Sequence, residues 1–143
     1  MVLDTTVLQS RLNRLDRCVR RLEQIKATGK EAFLSSEDLQ DVAERNLEIA
    51  IQCCLDIGSH IIASLGLRSP ESYVGVLREL GHGGAFPADF ARRIEGMAGM
   101  RNILVHDYLE VDPERIYEVL ERVGDFKLFA VYVHDLMLRE SER

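Results

Sequence analysis

Chemistry concentrates in eight residues of this chain, Arg101-Asn102-Ile103-Leu104-Val105-His106-Asp107-Tyr108, where a guanidinium, an imidazole and a phenol crowd into an otherwise apolar stretch. An imidazole moves protons near neutral pH because its unperturbed pKa lies there. A guanidinium holds two phosphate oxygens at once and stabilises charge as it develops. Together they suit metal-independent cleavage of RNA, in which the ribose 2′-hydroxyl attacks the adjacent phosphate. Asn102, one turn before His106, could position the phosphate or the imidazole. No carboxylate cluster suggests a magnesium site, so no metal and no cofactor are expected. The same pair could instead line a non-catalytic cleft that binds a nucleotide or a partner protein.

In helical geometry, at about 100° per residue, the region carries two stripes. Phe90, Ile94, Met97, Leu104 and Tyr108 share an apolar face with Arg101 in its middle, a costly place for a charge unless it is paired or reaches a wet cleft. Glu95, Gly99, Asn102 and His106 share a polar face. Gly96 and Gly99 each lower helix propensity by about 1 kcal/mol, and close approach of a second backbone is a physical return for that cost. Arg101 and His106 lie about 140° apart on such a helix, so one copy does not easily aim both at one atom. Two copies meeting about a twofold axis would, which predicts a homodimer on the Gly96, Gly99 and His106 face.

The elements that must position these groups read as helices throughout, because no segment alternates with period two. Asp4, Thr5 and Thr6 offer caps to a first helix whose Leu8, Leu12, Leu15, Val19 and Leu22 form a bundle seam, ended by Gly29. Ser35 and Ser36, with Glu37 and Asp38, open a second helix running to about Leu65, apolar on several faces and therefore central. Within it Gln52, Asp56, Ser59 and His60 interrupt the apolar run; Asp56 and His60, four apart, could support the cleft from behind or form a satisfied buried pair, the second being favoured. Ser69-Pro70-Glu71 caps a short helix to Leu80, and Gly81-His82-Gly83-Gly84 reads as a flexible loop. Pro87 opens the helix bearing the central motif. Asp112-Pro113-Glu114 begins the last helix, with Gly124-Asp125 as a point for a kink. His82 and His134 have no motif around them and read as structural or surface residues. The sum is an all-α, up-and-down bundle of about four to five helices.

At 143 residues the chain reads as one domain, 1–143, with 46% hydrophobic and 29% charged residues. No apolar run near 18 residues and no signal peptide stand out, so no membrane partner is expected. Three cysteines, two adjacent, make a poor disulfide framework and indicate structural thiols in a reducing cytoplasm. The net charge of −6 argues against a protein that coats nucleic acid, and no DNA partner is expected. Basic residues do cluster at Arg11, Arg14, Arg17, Arg20, Arg21 and Lys26, read as a solvated helix face, and at Arg92, Arg93 and Arg101.

The motif Arg101, polar Asn102, three further residues, His106, Asp107 and Tyr108 resembles the signature of HepT-like toxins in the HEPN superfamily of helical ribonucleases. Ala50-Ile51-Gln52, Asp56 to Ile61, the Tyr73 to Gly81 segment and Val111-Asp112 before a long last helix are similar to that family too, so the resemblance spans nearly the whole chain. It implies an up-and-down helical dimer whose composite cleft holds two Arg–His pairs, with Arg101 and His106 catalytic. It also implies an endoribonuclease toxin of a type VII-like toxin–antitoxin system, of which transfer RNA is one target within the family. The partner it implies is a cognate MntA-like minimal nucleotidyltransferase, an antitoxin that silences the toxin by adding AMP to the tyrosine two residues past the histidine, here Tyr108. The same ring continues the apolar stripe and could simply pack there.

Overall fold

Two capped helices carry the rest of the fold. In the computed structural model, which describes residues 3–106 and 110–142, α1 (Thr5–Ala27) starts at Asp4, whose Oδ1 accepts the Val7 N–H at 3.1 Å. Helix α3 (Glu37–Ser64) starts at Ser36, whose Oγ accepts the Leu39 N–H at 3.2 Å. The expected seam of α1 is buried throughout, from Leu8 to Leu22, and it lies along α3. Helix α3 also meets the short α2 (Lys30–Leu34), α4 (Tyr73–His82), α6 (Gly96–Val105), α7 (Pro113–Glu121) and α8 (Gly124–Ser141), which makes it the central helix. Its 28 residues and a mean hydropathy of 1.3 over the most apolar 18-residue window are enough, by length and composition alone, to cross a membrane. Here that apolarity serves the core, with Leu47, Ile51, Leu55, Ile57 and Ile61 at most 1% exposed. Among the described residues there are helices and no strands.

The helices read from the sequence are present, but two are broken. The helix bearing the motif is divided into α5 (Ala88–Arg93) and α6 by a bend at Ile94 and Glu95, with no side chain capping α6. The last helix is divided into α7 and α8 at Arg122 and Val123, just before Gly124. The two breaks are clamped to each other. Asp125, only 6% exposed, takes Arg93 Nε at 2.9 Å and Arg122 Nη2 at 3.1 Å, and Arg122 Nη2 also donates to the Arg93 carbonyl at 3.0 Å. A buried carboxylate needs this pairing to offset its desolvation, and the result fixes where α6 begins. Helix α2 goes unannounced by periodicity because it spans barely one turn. Gly29, at φ 95°, starts it, and fully buried Phe33 anchors it 5.5 Å from the ring of Tyr117.

Two further boundaries differ from expectation. Ser72 caps α4, accepting the Gly75 N–H at 3.1 Å, rather than the Ser69-Pro70-Glu71 run. Gly81 and His82 belong to α4, so the flexible loop shrinks to Gly83 and Gly84. Gly83 packs closely against Leu67, whose side chain would have to shift to admit a Cβ 2.6 Å from its Cδ1. His82 and His134 are exposed, and so are Arg14, Arg17, Arg20 and Arg21 on the outer face of α1. The three cysteines are free and buried. Burial raises all three thiols, Cys53 to about 11, with the neighbouring Cys18 and Asp56 adding to that push; thiols held protonated in this way are inert packing groups.

Candidate active site

Arg101 is placed by three helices at once. It leaves α6 half-buried and crosses to α3, where its Nε donates to Gln52 Oε1 at 3.1 Å. Gln52 Nε2 in turn donates to Asp56 Oδ1, one turn further along α3, at 2.8 Å. On the α4 side the guanidinium carbon lies 4.4 Å from the centroid of the Tyr73 ring, within reach of a cation–π attraction. Nη1 is 3.3 Å from Asn102 Oδ1. Among the described residues no acceptor bonds Nη2, which leaves its two N–H groups for a phosphate. Arg101 is therefore not stranded in the core stripe. Phe90, Ile94 and Leu104 of that stripe are buried, while the guanidinium reaches Gln52 on α3.

His106 does not continue the helix. It is the C-cap of α6, at φ −104° and ψ 38°, with its N–H donating to the Ile103 carbonyl at 3.2 Å. The expected four-residue stripe is therefore interrupted at both ends, with Glu95 before the first turn and His106 after the last. Asn102 and His106 are both exposed. Tyr108, the residue expected to carry AMP, and Asp107 lie outside the described residues. Gly96 and Gly99 are exposed, and a Cβ built on either meets nothing within 4 Å. Among the described residues no second backbone approaches them.

The expected Asp56–His60 buried pair is not formed. Asp56 is exposed, and its carboxylate takes the Gln52 amide. His60 is half-buried, with its Nε2 enclosed and bonded to nothing. Asp56 still reaches the motif, through Gln52. Sequence reasoning underrated Gln52 and Tyr73: Gln52 was visible only as part of a polar interruption, and Tyr73 only as one residue of a resembling segment. The available signal was the α3 spacing, since Gln52 and Asp56 are four apart and point the same way as the half-buried arginine. Among the described residues no three of His, Cys, Asp and Glu gather where they could hold a metal ion.

This wiring makes a specific expectation. Gln52→Ala removes a charge-assisted hydrogen bond of roughly 1.5–3 kcal/mol, so any activity that depends on the Arg101 pose is expected to fall about tenfold or more. Asp56→Ala acts one bond further out and is expected to cost less. Equal activity of Gln52→Ala and the wild type would remove this bond from the working arrangement.

Known proteins share this arrangement of helices. The chain is 27% identical over 140 residues, 96% of its length and 89% of the other protein's, to the tRNA nuclease HepT of Aphanizomenon flos-aquae. It is 27% identical over 124 residues, 86% of its length and 92% of the other's, to the mRNA nuclease HepT of Shewanella oneidensis. The fold superposes with a TM-score of 0.82, at 26% identity and covering 90% of this chain and 97% of the other, on a tri-AMPylated Shewanella oneidensis HEPN toxin in complex with its MNT antitoxin. The family model Ribonuclease HepT-like matches residues 15–133, which include Gln52, Asp56, Tyr73, Arg101 and His106, and the chain therefore belongs to the HepT-like family of HEPN toxins.

Proposed function

We propose that this protein is a metal-independent endoribonuclease toxin. Its working unit is a homodimer in which Arg101 and His106 of both copies line one composite cleft, with Asn102 positioning the phosphate. The observation that carries the reading is the held pose of Arg101: Gln52 and Tyr73 fix its Nε edge and its face, and its Nη2 edge remains for an anion. His106, exposed at the end of α6, is close in sequence to that guanidinium and chemically suited to take the proton of the 2′-hydroxyl and return one to the leaving 5′-oxygen. The substrate is RNA; the relatives' names, one a tRNA nuclease and the other an mRNA nuclease, support the class and not a single target.

The partner is a minimal nucleotidyltransferase antitoxin of the MNT type that neutralises the toxin by attaching AMP to Tyr108. An AMP group two residues past His106 brings a negative phosphodiester beside the cleft, where it competes for Arg101 and repels RNA by like charge. Expression of the chain alone is expected to arrest growth, and co-expression with the antitoxin to relieve it. Tyr108→Phe, which keeps the ring and loses the hydroxyl, is expected to remain toxic and to escape relief. Mass spectrometry of the co-expressed wild type is expected to find adenylyl groups on the peptide containing Tyr108. An unmodified Tyr108 in a fully neutralised complex would leave occlusion by the partner as the mechanism. A non-catalytic nucleotide- or partner-binding module is the second reading, favoured by the net charge of −6; it requires the wild type and His106→Ala to have the same effect on growth.

A further inference from the structure

A cavity of about 460 Å³ lies between the second half of α3, the loop after it and the start of α4. Its size falls in the range of small-molecule sites. Ile62, Leu67 and Val76 contribute aliphatic surface, Ser59 and Ser69 contribute hydroxyls, and Tyr73 forms part of the wall. Glu71 adds a carboxylate, and among the described residues no lysine, arginine or histidine lines the cavity, so a phosphate finds no charge partner there. An aromatic wall, apolar sides and a few hydroxyl donors and acceptors suit a planar heterocycle instead.

Tyr73 joins this cavity to the candidate active site. The Arg101 guanidinium lies 4.4 Å from the centroid of its ring, while the cavity includes Tyr73 and not Arg101. Tyr73 as a residue is 38% exposed. An anion held by Nη2 of Arg101 is thus one side chain away from a pocket that takes no anion. A nucleotide has that division, a phosphate joined through one ribose to a flat base.

We propose that this cavity is the base subsite of the enzyme: it holds the nucleobase of a nucleotide next to the scissile phosphate, against Tyr73, while Arg101 holds the phosphate. The inference rests on the ribonuclease reading for its place in catalysis, but base binding itself is measurable without cleavage. Tyr73 then has two tasks, to support the guanidinium and to wall the base, and the subsite gives the enzyme a nucleotide preference that Arg101 and His106 alone do not supply.

Ala63 lines the cavity from an exposed position on α3 and has no bond to Arg101, Gln52 or Asp56. Ala63→Trp fills the cavity while leaving that chain of contacts intact, and Ser69→Trp fills it from the loop as an independent variant. The chain contains no tryptophan, so the emission of the added indole reports whether it has seated in an apolar site. Adenosine 5′-monophosphate and ribose 5-phosphate, which lacks the base, are titrated into the full chain and followed by amide chemical shifts. The wild type and His106→Ala are expected to bind AMP more tightly than ribose 5-phosphate, with shifts at Ser59, Leu67 and Tyr73. Both tryptophan variants are expected to lose that difference, a fall of about 5- to 150-fold in AMP affinity, the usual worth of one stacked base. AMP affinity unchanged in both variants with a seated indole, or equal binding of AMP and ribose 5-phosphate by the wild type, would overturn the subsite. RNA cleavage by the same proteins separates the two ideas: cleavage dependent on His106 but indifferent in rate and cut-site sequence to Ala63→Trp keeps the ribonuclease and removes the subsite, whereas base-dependent AMP binding without cleavage does the reverse.

Discussion

Replacing His106 with alanine is expected to lower RNA cleavage by about 10²–10⁴-fold, the usual cost of removing a positioned acid–base group, and to abolish growth arrest. The fold is expected to survive. His106 is exposed at the C-cap of α6, and surface substitutions of that kind change stability by only about 0.5 kcal/mol. A thermal unfolding curve that matches the wild type, beside lost cleavage, assigns the loss to chemistry. Arg101→Ala is expected to fall in the same range, because it deletes the guanidinium that Gln52 and Tyr73 hold in place at this site. Arg101→Lys keeps the charge but not the fork that bonds Gln52 through Nε and leaves Nη2 to the phosphate, so it is expected to remain strongly impaired. Near-normal cleavage by the lysine variant would mean that only charge matters there and that the Gln52 bond is incidental.

Gly99→Leu is expected to separate the fold of one chain from the assembly of two. Within one chain the substitution is harmless: Gly99 is exposed, a Cβ on it meets nothing within 4 Å, and leucine restores roughly 0.5–1 kcal/mol of helix propensity. If two α6 helices cross closely at Gly96 and Gly99, a leucine there holds them apart. The variant is then expected to sediment as a folded monomer and to lose cleavage as completely as His106→Ala. The contrast carries the information, since a glycine retained for reasons within the chain would give a destabilised protein instead. An active, dimeric Gly99→Leu would place the dimer contact elsewhere, and an active wild-type monomer would remove the composite cleft altogether.

The parts legible in the sequence were those set by long periodic patterns and by strong caps. The seam of α1 from Leu8 to Leu22, the start of α3 at Ser36 and the proline start of α7 all lie where residue spacing put them. Helix α2 was hidden because one turn has no periodicity to detect, and it depends on Phe33 meeting Tyr117, distant in sequence. The break at Ile94 was hidden for a related reason, whereas the one at Val123 lies beside the expected kink at Gly124-Asp125 and only its cause was hidden. They are fixed by Asp125 binding Arg93 and Arg122, a three-residue clamp across two helices that no local window contains. At the candidate site, Arg101, Asn102 and His106 were singled out by their types, their spacing and the family resemblance, but the supports of Arg101 were not. The Asp56–His60 pair looked natural at a spacing of four, yet Gln52 has the same spacing to Asp56 and also reaches Arg101, so it takes the carboxylate and leaves His60 Nε2 without a partner. Choosing between two pairs of equal spacing required knowing which face of α3 meets α6.

The central claim is that Arg101 and His106 cut RNA without a metal. It is tested most directly by incubating purified wild type and His106→Ala with RNA in excess EDTA and identifying the new ends. The account expects the wild type to cut at an undiminished rate and to leave 2′,3′-cyclic phosphate and 5′-hydroxyl ends, with His106→Ala inactive. Loss of wild-type cleavage in EDTA, or 5′-phosphate ends, or equal cutting by His106→Ala, would contradict it.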